Sequence, residues 1–257
     1  MSKLHFEVTG AGEPVLLLHG MALDRRMWDD QVGPLAAAGY AAIRVDLLGF
    51  GRSPPVTGPY SHAQSLKALL DDLGIAQAHV VGLSMGGRIA AEFVQWHPEA
   101  VKSLVLVDAD ITGLPFRTLG PSVAAIFGAG QAGDIGLAKR LFLDSVLFEA
   151  TRRRPPVQAR VQHMVDDYSG WHFANAGAGL ERRPAQKTAE ALPGFALPVL
   201  ALVGELDSPD FHDVADGVVA RVPGARKQVL RGVGHLPNME DPTAFNVALL
   251  EFLADAR

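Results

Sequence analysis

The chain has 257 residues, of which 48% are hydrophobic and 20% are charged, and it contains no cysteine. This length and apolar content suit a single α/β domain with a sizeable core, while the net charge of −5 provides no electrostatic surface for nucleic acid. The absence of cysteine excludes disulfides, thiol catalysis and zinc bound through cysteine.

Apolar runs typical of buried strands alternate with amphipathic runs typical of helices along most of the chain. This alternation predicts an α/β fold with a mostly parallel, doubly wound sheet and helices on both faces. Two helix starts are marked by capping residues, Ser61 with Gln64 three positions on and Asp241 followed by Pro242. The predicted strands cover residues 4–8, 15–18, 41–45, 79–81, 104–107, 199–203 and 227–230.

The predicted strand at residues 15–18 runs directly into His19-Gly20-Met21-Ala22. An acyl-transfer intermediate with a negatively charged oxygen needs two backbone N–H groups aimed at that oxygen. A strand end followed by His-Gly predicts that the Met21 N–H is one of these donors. His19 itself is interpreted as a structural histidine rather than a base.

The most informative motif is Gly82-Leu83-Ser84-Met85-Gly86, which lies between the strand at residues 79–81 and a helix-like run at residues 87–96. A serine framed by glycines at a strand-to-helix turn is typical of a nucleophile elbow. The glycines leave room for a sharp, strained turn, and the Met85 N–H at the positive end of the helix becomes the second oxyanion donor. The alternative is a glycine-rich turn with a solvent-facing serine, in a chain that carries 27 glycines.

A nucleophilic serine needs a histidine base and an acid that orients the base, in the chain order serine, acid, histidine. Asp207 follows the strand-like run at residues 199–203, and His235 lies in a glycine-flanked loop after residues 227–230. Taken singly, Asp207 also suits the cap of the next helix, and His235 suits an ordinary loop histidine. Their order and their positions after strands favour a triad, with Asp108 as the rival acid because it too ends a strand.

From residue 112 to residue 192 the chain shows helix-like stretches and no convincing strand. A connection of about 80 residues is longer than an ordinary one. We therefore predict that residues 112–192 form a helical cap over Ser84, carried by a core of residues 1–111 and 193–257. The alternative is that these helices complete the surface of the core.

Two features inside this interval bear on ligand binding. Trp171 and His172 are candidates for stacking on the substrate and hydrogen bonding to it, although such residues more often pack a lid onto its core. The run from Gly128 to Gly133 satisfies the glycine pattern of dinucleotide sites, but no strand-helix-strand unit with a following acidic residue accompanies it. We therefore expect no nucleotide cofactor, and the spacing of the remaining histidines predicts no metal.

Taken together, these segments resemble the α/β-hydrolase superfamily over nearly the whole chain. The run from Asp46 to Ser53 is similar to the family's Asp-x-x-Gly-x-Gly-x-Ser loop, and residues 234–242 are similar to its histidine loop. Within the superfamily the chain looks most like small enzymes related to 3-oxoadipate enol-lactonase, meta-cleavage-product hydrolases and haloperoxidase-like serine esterases. Two departures are a single strand before Pro14, where the family often has two, and Ala22, where perhydrolase-type relatives tend to carry proline.

The resemblance implies a serine hydrolase that cleaves a carboxylic ester, lactone or related activated carbonyl of a small molecule. Ser84 would attack the carbonyl, His235 would take its proton, and Asp207 would hold the imidazole, with an acyl-enzyme as intermediate. One alternative is a carbon–carbon bond hydrolase or lyase in which the same triad activates water. Another is a small-molecule receptor with vestigial hydrolysis.

The first residues contain no apolar leader, and no uninterrupted apolar run approaches the roughly 18 residues of a membrane helix. We therefore expect a cytoplasmic protein whose partner is a small-molecule substrate, without membrane or nucleic-acid partners. The identity and size of the substrate, the oligomeric state, including a homodimer, and any perhydrolase side activity stay open at this stage.

Overall fold

A computed structural model describes residues 4–256 of the chain, and its seven strands form one sheet. The strands are β1 (Phe6–Thr9), β2 (Glu13–Leu18), β3 (Tyr40–Val45), β4 (Ala78–Leu83), β5 (Val101–Val107), β6 (Val199–Gly204) and β7 (Arg226–Leu230). Across the sheet they lie in the order β1-β3-β2-β4-β5-β6-β7. β1 runs antiparallel to β3, and every other neighbouring pair is parallel, as the alternation of strand and helix patterns predicts.

Helices connect the strands and pack in groups against the sheet. The α-helices are α1 (Asp29–Ala37), α2 (His62–Asp72), α3 (Met85–Trp96), α4 (Gly120–Gln131), α5 (Ile135–Asp144), α6 (Glu149–Arg152), α7 (Pro155–Asp167), α8 (Trp171–Ala174), α9 (Thr188–Ala191), α10 (Pro209–Val219), α11 (Pro237–Glu240) and α12 (Pro242–Asp255). Short 3-10 helices cover Arg25–Trp28, Pro98–Ala100, Val146–Phe148 and Leu192–Gly194. Helices α11 and α12 both contact α1, and a second group forms where α2 and α9 contact α3. None of the described helices combines the length and the apolarity that a membrane crossing requires.

The strands at the centre of the sheet are buried along most of their length. Every residue of β4 and of β6 is buried, and so are the last four residues of β2. Strands of a parallel sheet that are covered on both faces need apolar side chains at consecutive positions. This explains why the sequence shows continuous apolar runs here instead of an alternation of polar and apolar residues.

The predicted strands all occur in the structure, with modest differences at their ends. The largest difference is at the start of β5, which begins at Val101 instead of residue 104. Within residues 4–256 one strand, β1, precedes Pro14, so the sheet opens on a single antiparallel strand. This agrees with the departure from the family pattern that the sequence indicates.

Both predicted helix starts carry their caps. The Ser61 hydroxyl accepts the Gln64 N–H at 3.3 Å, and the Asp241 carboxylate accepts the Ala244 N–H at 3.0 Å. Between β5 and β6 the described chain contains helices α4 to α9 and no strand. The glycine pattern at residues 128–133 lies in and just after α4, so no strand leads into it.

The turn from β4 into α3 brings a helix and a neighbouring strand into direct backbone contact. A Cβ atom on Gly86 would collide with the carbonyl oxygen of Leu18 at the end of β2. A Cβ atom on Gly82 would collide with the carbonyl oxygen of Gly86. Since only glycine allows such an approach, these two positions determine how close the first turn of α3 lies to the edge of the sheet.

We expect Gly86→Ala to lower the free energy of unfolding by about 1–3 kcal/mol, because the added methyl group meets backbone atoms that cannot move aside. Gly128→Ala is the matched control, since a Cβ atom there meets nothing within 4 Å and the residue lies at an exposed position inside α4. That change should be neutral or stabilising by up to about 1 kcal/mol. Urea unfolding followed by circular dichroism measures both variants, and a Gly86→Ala chain as stable as its parent would contradict the packing argument.

Candidate active site

Four loops that follow parallel strands contribute to one region at the edge of the sheet. Met21 follows β2, Ser84 follows β4, Asp207 follows β6 and His235 follows β7. The carboxyl ends of parallel strands share one edge, which is where open α/β sheets bind ligands. Met21, Ser84 and His235 line the same cavity there.

Ser84 occupies the strained turn that its glycine neighbours predict. Its backbone angles are φ 54° and ψ −117°, a combination that serine rarely adopts. The Ser84 N–H donates to the carbonyl oxygen of Val107 at 2.9 Å, and the Ser84 carbonyl oxygen accepts from the N–H groups of Arg88 and Asp110 at 3.1 and 3.2 Å. The Ser84 side chain makes no capping hydrogen bond to α3. The backbone is therefore held firmly while the hydroxyl group is not used to start the helix.

Asp207 and His235 form a buried hydrogen-bonded pair. Asp207 Oδ2 lies 2.7 Å from His235 Nδ1, and Asp207 Oδ1 accepts the Ser208 N–H at 2.7 Å. The cap of α10 is Ser208, so the alternative in which Asp207 caps that helix is wrong. A carboxylate on Nδ1 orients the imidazole so that Nε2 is the nitrogen able to take a proton.

The rival acid, Asp108, lies beside this pair. Its Oδ1 accepts the Gly204 N–H at 3.0 Å. Asp108, Asp207 and His235 each place one oxygen or nitrogen atom within 4.8 Å of the other two, a spacing that also suits a metal ion. Among residues 4–256, no other set of three or more histidine, aspartate or glutamate side chains has this spacing. Because Asp207 makes the hydrogen bond to His235, the geometry favours Asp207 as the orienting acid.

The two predicted oxyanion donors belong to residues that line the cavity of Ser84, Met21 and Met85. Met85 is the first residue of α3, so its N–H has no acceptor within the helix and lies at the positive end of the helix dipole. The residue after Met21, Ala22, has φ 57°, so the loop that carries the other N–H is also held in an unusual conformation. Both residues thus border the cavity of Ser84, and their role as oxyanion donors stays a prediction.

His19 links the end of β2 to the loop after β3. Its Nδ1 lies 2.8 Å from the carbonyl oxygen of Gly20, and its Nε2 accepts the Leu47 N–H at 3.0 Å. Burial lowers the pKa of His19, which keeps the ring neutral. Both ring nitrogens are engaged, as the interpretation of His19 as a structural residue requires.

The cavity beside Ser84 has a volume of about 270 Å³. Three charged side chains, Arg88, Asp110 and Arg183, reach its wall. Most of the remaining wall is apolar, which suits a small ligand with a hydrophobic part. The apolar residues contributed by the segment between β5 and β6 are Phe116, Leu119, Val123, Ile126, Phe127, Phe142, Leu147, Phe148 and Phe173.

Trp171 and His172 lie in the wall of a neighbouring cavity of about 480 Å³ and not in that of Ser84. The His172 ring stacks on Phe50 with 4.1 Å between ring centroids, and its Nδ1 lies 3.1 Å from the Tyr168 hydroxyl oxygen. These contacts pack the segment onto the core. Contact of Trp171 and His172 with a substrate stays a prediction, and the structure places both residues at the neighbouring cavity. The two cavities share the wall residues Met21, Met85, Arg88, Phe127 and Arg183.

A cluster of paired charges that the sequence motifs do not reveal borders both cavities through Arg88 and Arg183. Arg88 donates to Glu92 at 2.9 Å and to Glu181 at 3.1 Å, and Arg183 donates to Glu181 at 2.8 Å. Burial acts to raise the pKa of Glu181, but Arg88 and the other nearby cationic groups outweigh it and lower that pKa to about 2. The sequence offers one indication of this cluster. Ser84, Arg88 and Glu92 follow one another at intervals of four residues, which places them on one face of a helix.

The chain belongs to the alpha/beta hydrolase fold family, whose model matches residues 13–242. This confirms both the predicted fold class and the resemblance that the motifs indicate. The match includes the loops that carry Met21, Ser84, Asp207 and His235.

The chain is similar to two hydrolases and to an esterase of known structure. The 2-hydroxy-6-oxononadienedioate/2-hydroxy-6-oxononatrienedioate hydrolase of Cupriavidus pinatubonensis is 31% identical, with 98% of this chain and 91% of that protein covered. The hydrolase of the same name from Paraburkholderia xenovorans is 32% identical, with the same coverage. A thermophilic esterase from Thermogutta terrifontis, solved with malate bound, has a TM-score of 0.86 and 29% identity, and the match covers 98% of this chain and 93% of the esterase. The chain is an α/β-hydrolase enzyme.

Two buried histidines in the wall of the second cavity make the fold sensitive to acid. Burial lowers the pKa of His62 and that of His172 from 6.5 to about 3. Below about pH 6.5 the unfolded chain binds a proton on each ring, whereas the folded chain does so only near pH 3. The free energy of unfolding therefore falls as the pH drops through this window.

We expect each of these histidines to contribute a slope of about 1.4 kcal/mol per pH unit between about pH 6 and pH 4. His172→Gln should remove one such contribution from the slope, because glutamine does not titrate. His163→Gln is the control, since the His163 side chain is 70% exposed. Urea unfolding at several pH values measures the slopes, and an unchanged slope in His172→Gln would show that the ring is not held neutral.

Proposed function

We propose that this chain hydrolyses a carbon–carbon bond next to a ketone in a small vinylogous diketone, using Ser84, His235 and Asp207. The observation that carries the proposal is the buried Asp207–His235 hydrogen bond of 2.7 Å beside the cavity that Ser84 lines. The choice of bond follows the relatives, since proteins 31% and 32% identical over 98% of this chain are named hydrolases of 2-hydroxy-6-oxononadienedioate and its trienedioate analogue. This places the carbon–carbon alternative of the sequence hypothesis ahead of ester cleavage.

The reaction adds the elements of water across the carbon–carbon bond. Water activated by the triad, or Ser84 itself, attacks the ketone carbon while His235 takes the proton of the attacking hydroxyl group. The ketone oxygen becomes an oxyanion that accepts hydrogen bonds from the Met21 and Met85 N–H groups.

Collapse of the oxyanion breaks the carbon–carbon bond. The electron pair of that bond moves onto the leaving carbon, where conjugation with the second carbonyl group of the substrate stabilises it. His235 returns its proton to this fragment, and the other fragment leaves as a carboxylic acid. If Ser84 is the attacking group, the other fragment stays on Ser84 as an ester, and one water molecule activated by His235 then releases it as the carboxylic acid.

The proposal extends to residues 112–192 as a cap that closes over Ser84. Its support is that Phe127 on α4, Phe142 on α5 and Phe173 on α8 all line the cavity of Ser84. An apolar wall over the reacting groups excludes water and favours a hydrophobic substituent on the ketone. In this arrangement the core segments, residues 1–111 and 193–257, carry the catalytic groups.

Ester or lactone cleavage through an acyl-enzyme is the second candidate. Its support is the Thermogutta terrifontis esterase, which matches 98% of this chain with a TM-score of 0.86. In that reaction Ser84 forms a covalent acyl group, and the alcohol leaves with the proton from His235. The two reactions share the oxyanion donors and differ in whether the leaving atom is carbon or oxygen.

A vinylogous diketone, an enol-lactone and p-nitrophenyl esters of rising chain length distinguish the two reactions. We expect kcat/KM for the diketone to exceed that for each ester and for the lactone by about tenfold or more, or about 1.4 kcal/mol of transition-state stabilisation. The reason is that, in the proposed reaction, His235 lies where it can protonate the leaving carbon atom of the diketone, and an ester or a lactone offers a leaving oxygen atom instead. The reverse order of substrates would favour the second candidate.

Ser84→Ala is the control for every substrate and should lower turnover by about a thousandfold or more. Rapid quenching followed by mass analysis of the Ser84 peptide separates the two routes of attack. An acyl mass on that peptide indicates attack by serine, and its absence during steady turnover indicates activated water. A parent chain that turns over none of these substrates and yet binds one tightly would instead be a receptor.

We expect Asp207→Asn to lower kcat by about a hundredfold or more, because the asparagine amide favours the wrong imidazole tautomer. The substitution keeps the side-chain shape, so circular dichroism should show an unchanged fold. Asp213→Asn, at an exposed position of α10, is the matched control. Retention of most activity in Asp207→Asn would assign the orientation of His235 to another group.

A further inference from the structure

A second carboxyl group beside the triad has no part in the steps described above. Asp108 is only 1% exposed. Its N–H donates to the carbonyl oxygen of Leu202 at 2.9 Å, and its Oδ1 accepts the Gly204 N–H at 3.0 Å, so both ends of the residue are held against β6. Its φ of 40° is one that residues other than glycine rarely adopt. The fold thus holds this carboxyl group in place despite the backbone strain.

No lysine or arginine side chain among residues 4–256 forms an ion pair with Asp108. It takes part in none of the ion pairs formed within residues 4–256, and its buried Oδ2 receives no ordinary hydrogen bond from them. The ionisable groups that face it are Asp207 after β6, His235 after β7 and Glu240 on α11. Glu240 has its own cation, because Arg154 lies 3.8 Å away from it. His235 is likewise engaged by Asp207 at 2.7 Å.

Asp108 and Asp207 are both buried, and a carboxyl oxygen of one lies within 4.8 Å of a carboxyl oxygen of the other. If both groups were ionised, they would repel each other, and each would have lost its hydration. Burial and the neighbouring Asp207 charge raise the pKa of Asp108 well above its ordinary value. When one carboxyl group of such a pair is protonated, the repulsion is replaced by a hydrogen bond to the other. Asp207, which already accepts from Ser208 and pairs with His235, is the acceptor within reach.

We propose that Asp108 is a positioning residue that remains a carboxylic acid and donates its proton in a hydrogen bond to the Asp207 carboxylate. The two side chains together then carry one negative charge, which faces His235. The hydrogen bond holds Asp207 in the orientation in which its Oδ2 contacts His235 Nδ1. It also draws part of the negative charge of Asp207 away from His235. The effect on catalysis rests on the proposed function of the triad, whereas the protonation of Asp108 does not.

The acidic limb of the pH profile of kcat/KM tests the protonation state. Asp108→Asn supplies a neutral donor of similar shape, so the midpoint of that limb should move by less than about half a pH unit. Asp108→Leu removes the donor and leaves more charge on Asp207, so the midpoint should move to higher pH by about one unit. A residue with only a structural role would lower kcat without moving the midpoint.

The opposite shift would overturn the proposal. If Asp108 is ionised in the parent chain, Asp108→Asn removes a negative charge from the surroundings of His235, and the midpoint moves to lower pH. An unmoved midpoint in a folded, active Asp108→Leu chain would equally contradict a donated hydrogen bond. The Asn variant keeps the test decisive if the Leu variant does not fold.

Infrared difference spectroscopy gives a second readout that does not depend on the reaction. A protonated carboxyl group has a carbonyl band separate from those of carboxylates, and the band shifts in D2O. We expect the parent chain and Ser84→Ala to show this band at neutral pH, and the difference spectrum with Asp108→Asn to assign it. A parent spectrum with no band lost in Asp108→Asn overturns the proposal. A band together with an inactive chain upholds the state of Asp108 and contradicts the proposed function instead.

Discussion

The close approach of the first turn of α3 to the end of β2 is the constraint on which the candidate site depends. Gly86 and Gly82 permit that approach, since a Cβ atom at either position would meet a backbone carbonyl group. Ser84 has a φ of 54° in the same turn, and hydrogen bonds to Val107, Arg88 and Asp110 hold its backbone N–H and carbonyl oxygen in place. As a result the serine, the start of α3 and the loop after β2 all reach one cavity.

Burial at this edge of the sheet requires each polar group either to have a partner or to be neutral. Asp207 meets the requirement through His235 and the Ser208 N–H, and Arg88 meets it through Glu92 and Glu181. His19 meets it as a neutral ring with both nitrogens engaged. The charged side chains in the cavity wall are thus largely occupied with one another, and the apolar residues decide what the cavity accepts.

The chain divides these tasks between different parts of the fold. The candidate catalytic side chains follow strands of the sheet, where backbone pairing fixes the positions of the strand ends. The apolar wall comes mainly from helices between β5 and β6, a segment without strands in the described chain. Because the wall and the sheet are built from different segments, the wall can change without disturbing the positions of the residues that follow the strands.

The sequence by itself determined the features that have local causes. Continuous apolar runs specified the buried strands, the glycines around Ser84 specified the strained turn, and Asp241 with Pro242 specified a helix start. The chain order of serine, acid and histidine also specified which loops to bring together. Apart from the chain order, each of these features has a sequence pattern contained within a few residues, so it could be predicted without knowing which distant elements it contacts.

Only the tertiary structure decided the questions that depend on side chains from separate elements. It paired His235 with Asp207 in preference to Asp108. It also stacked the His172 ring on Phe50, and it joined Arg88 on α3 to Glu181 in the segment between β5 and β6. Asp108 and Asp207 both follow strands, so their local patterns are alike. What separates them is the distance of each carboxyl group from the imidazole, which the packing of whole strands and helices sets and no local pattern contains.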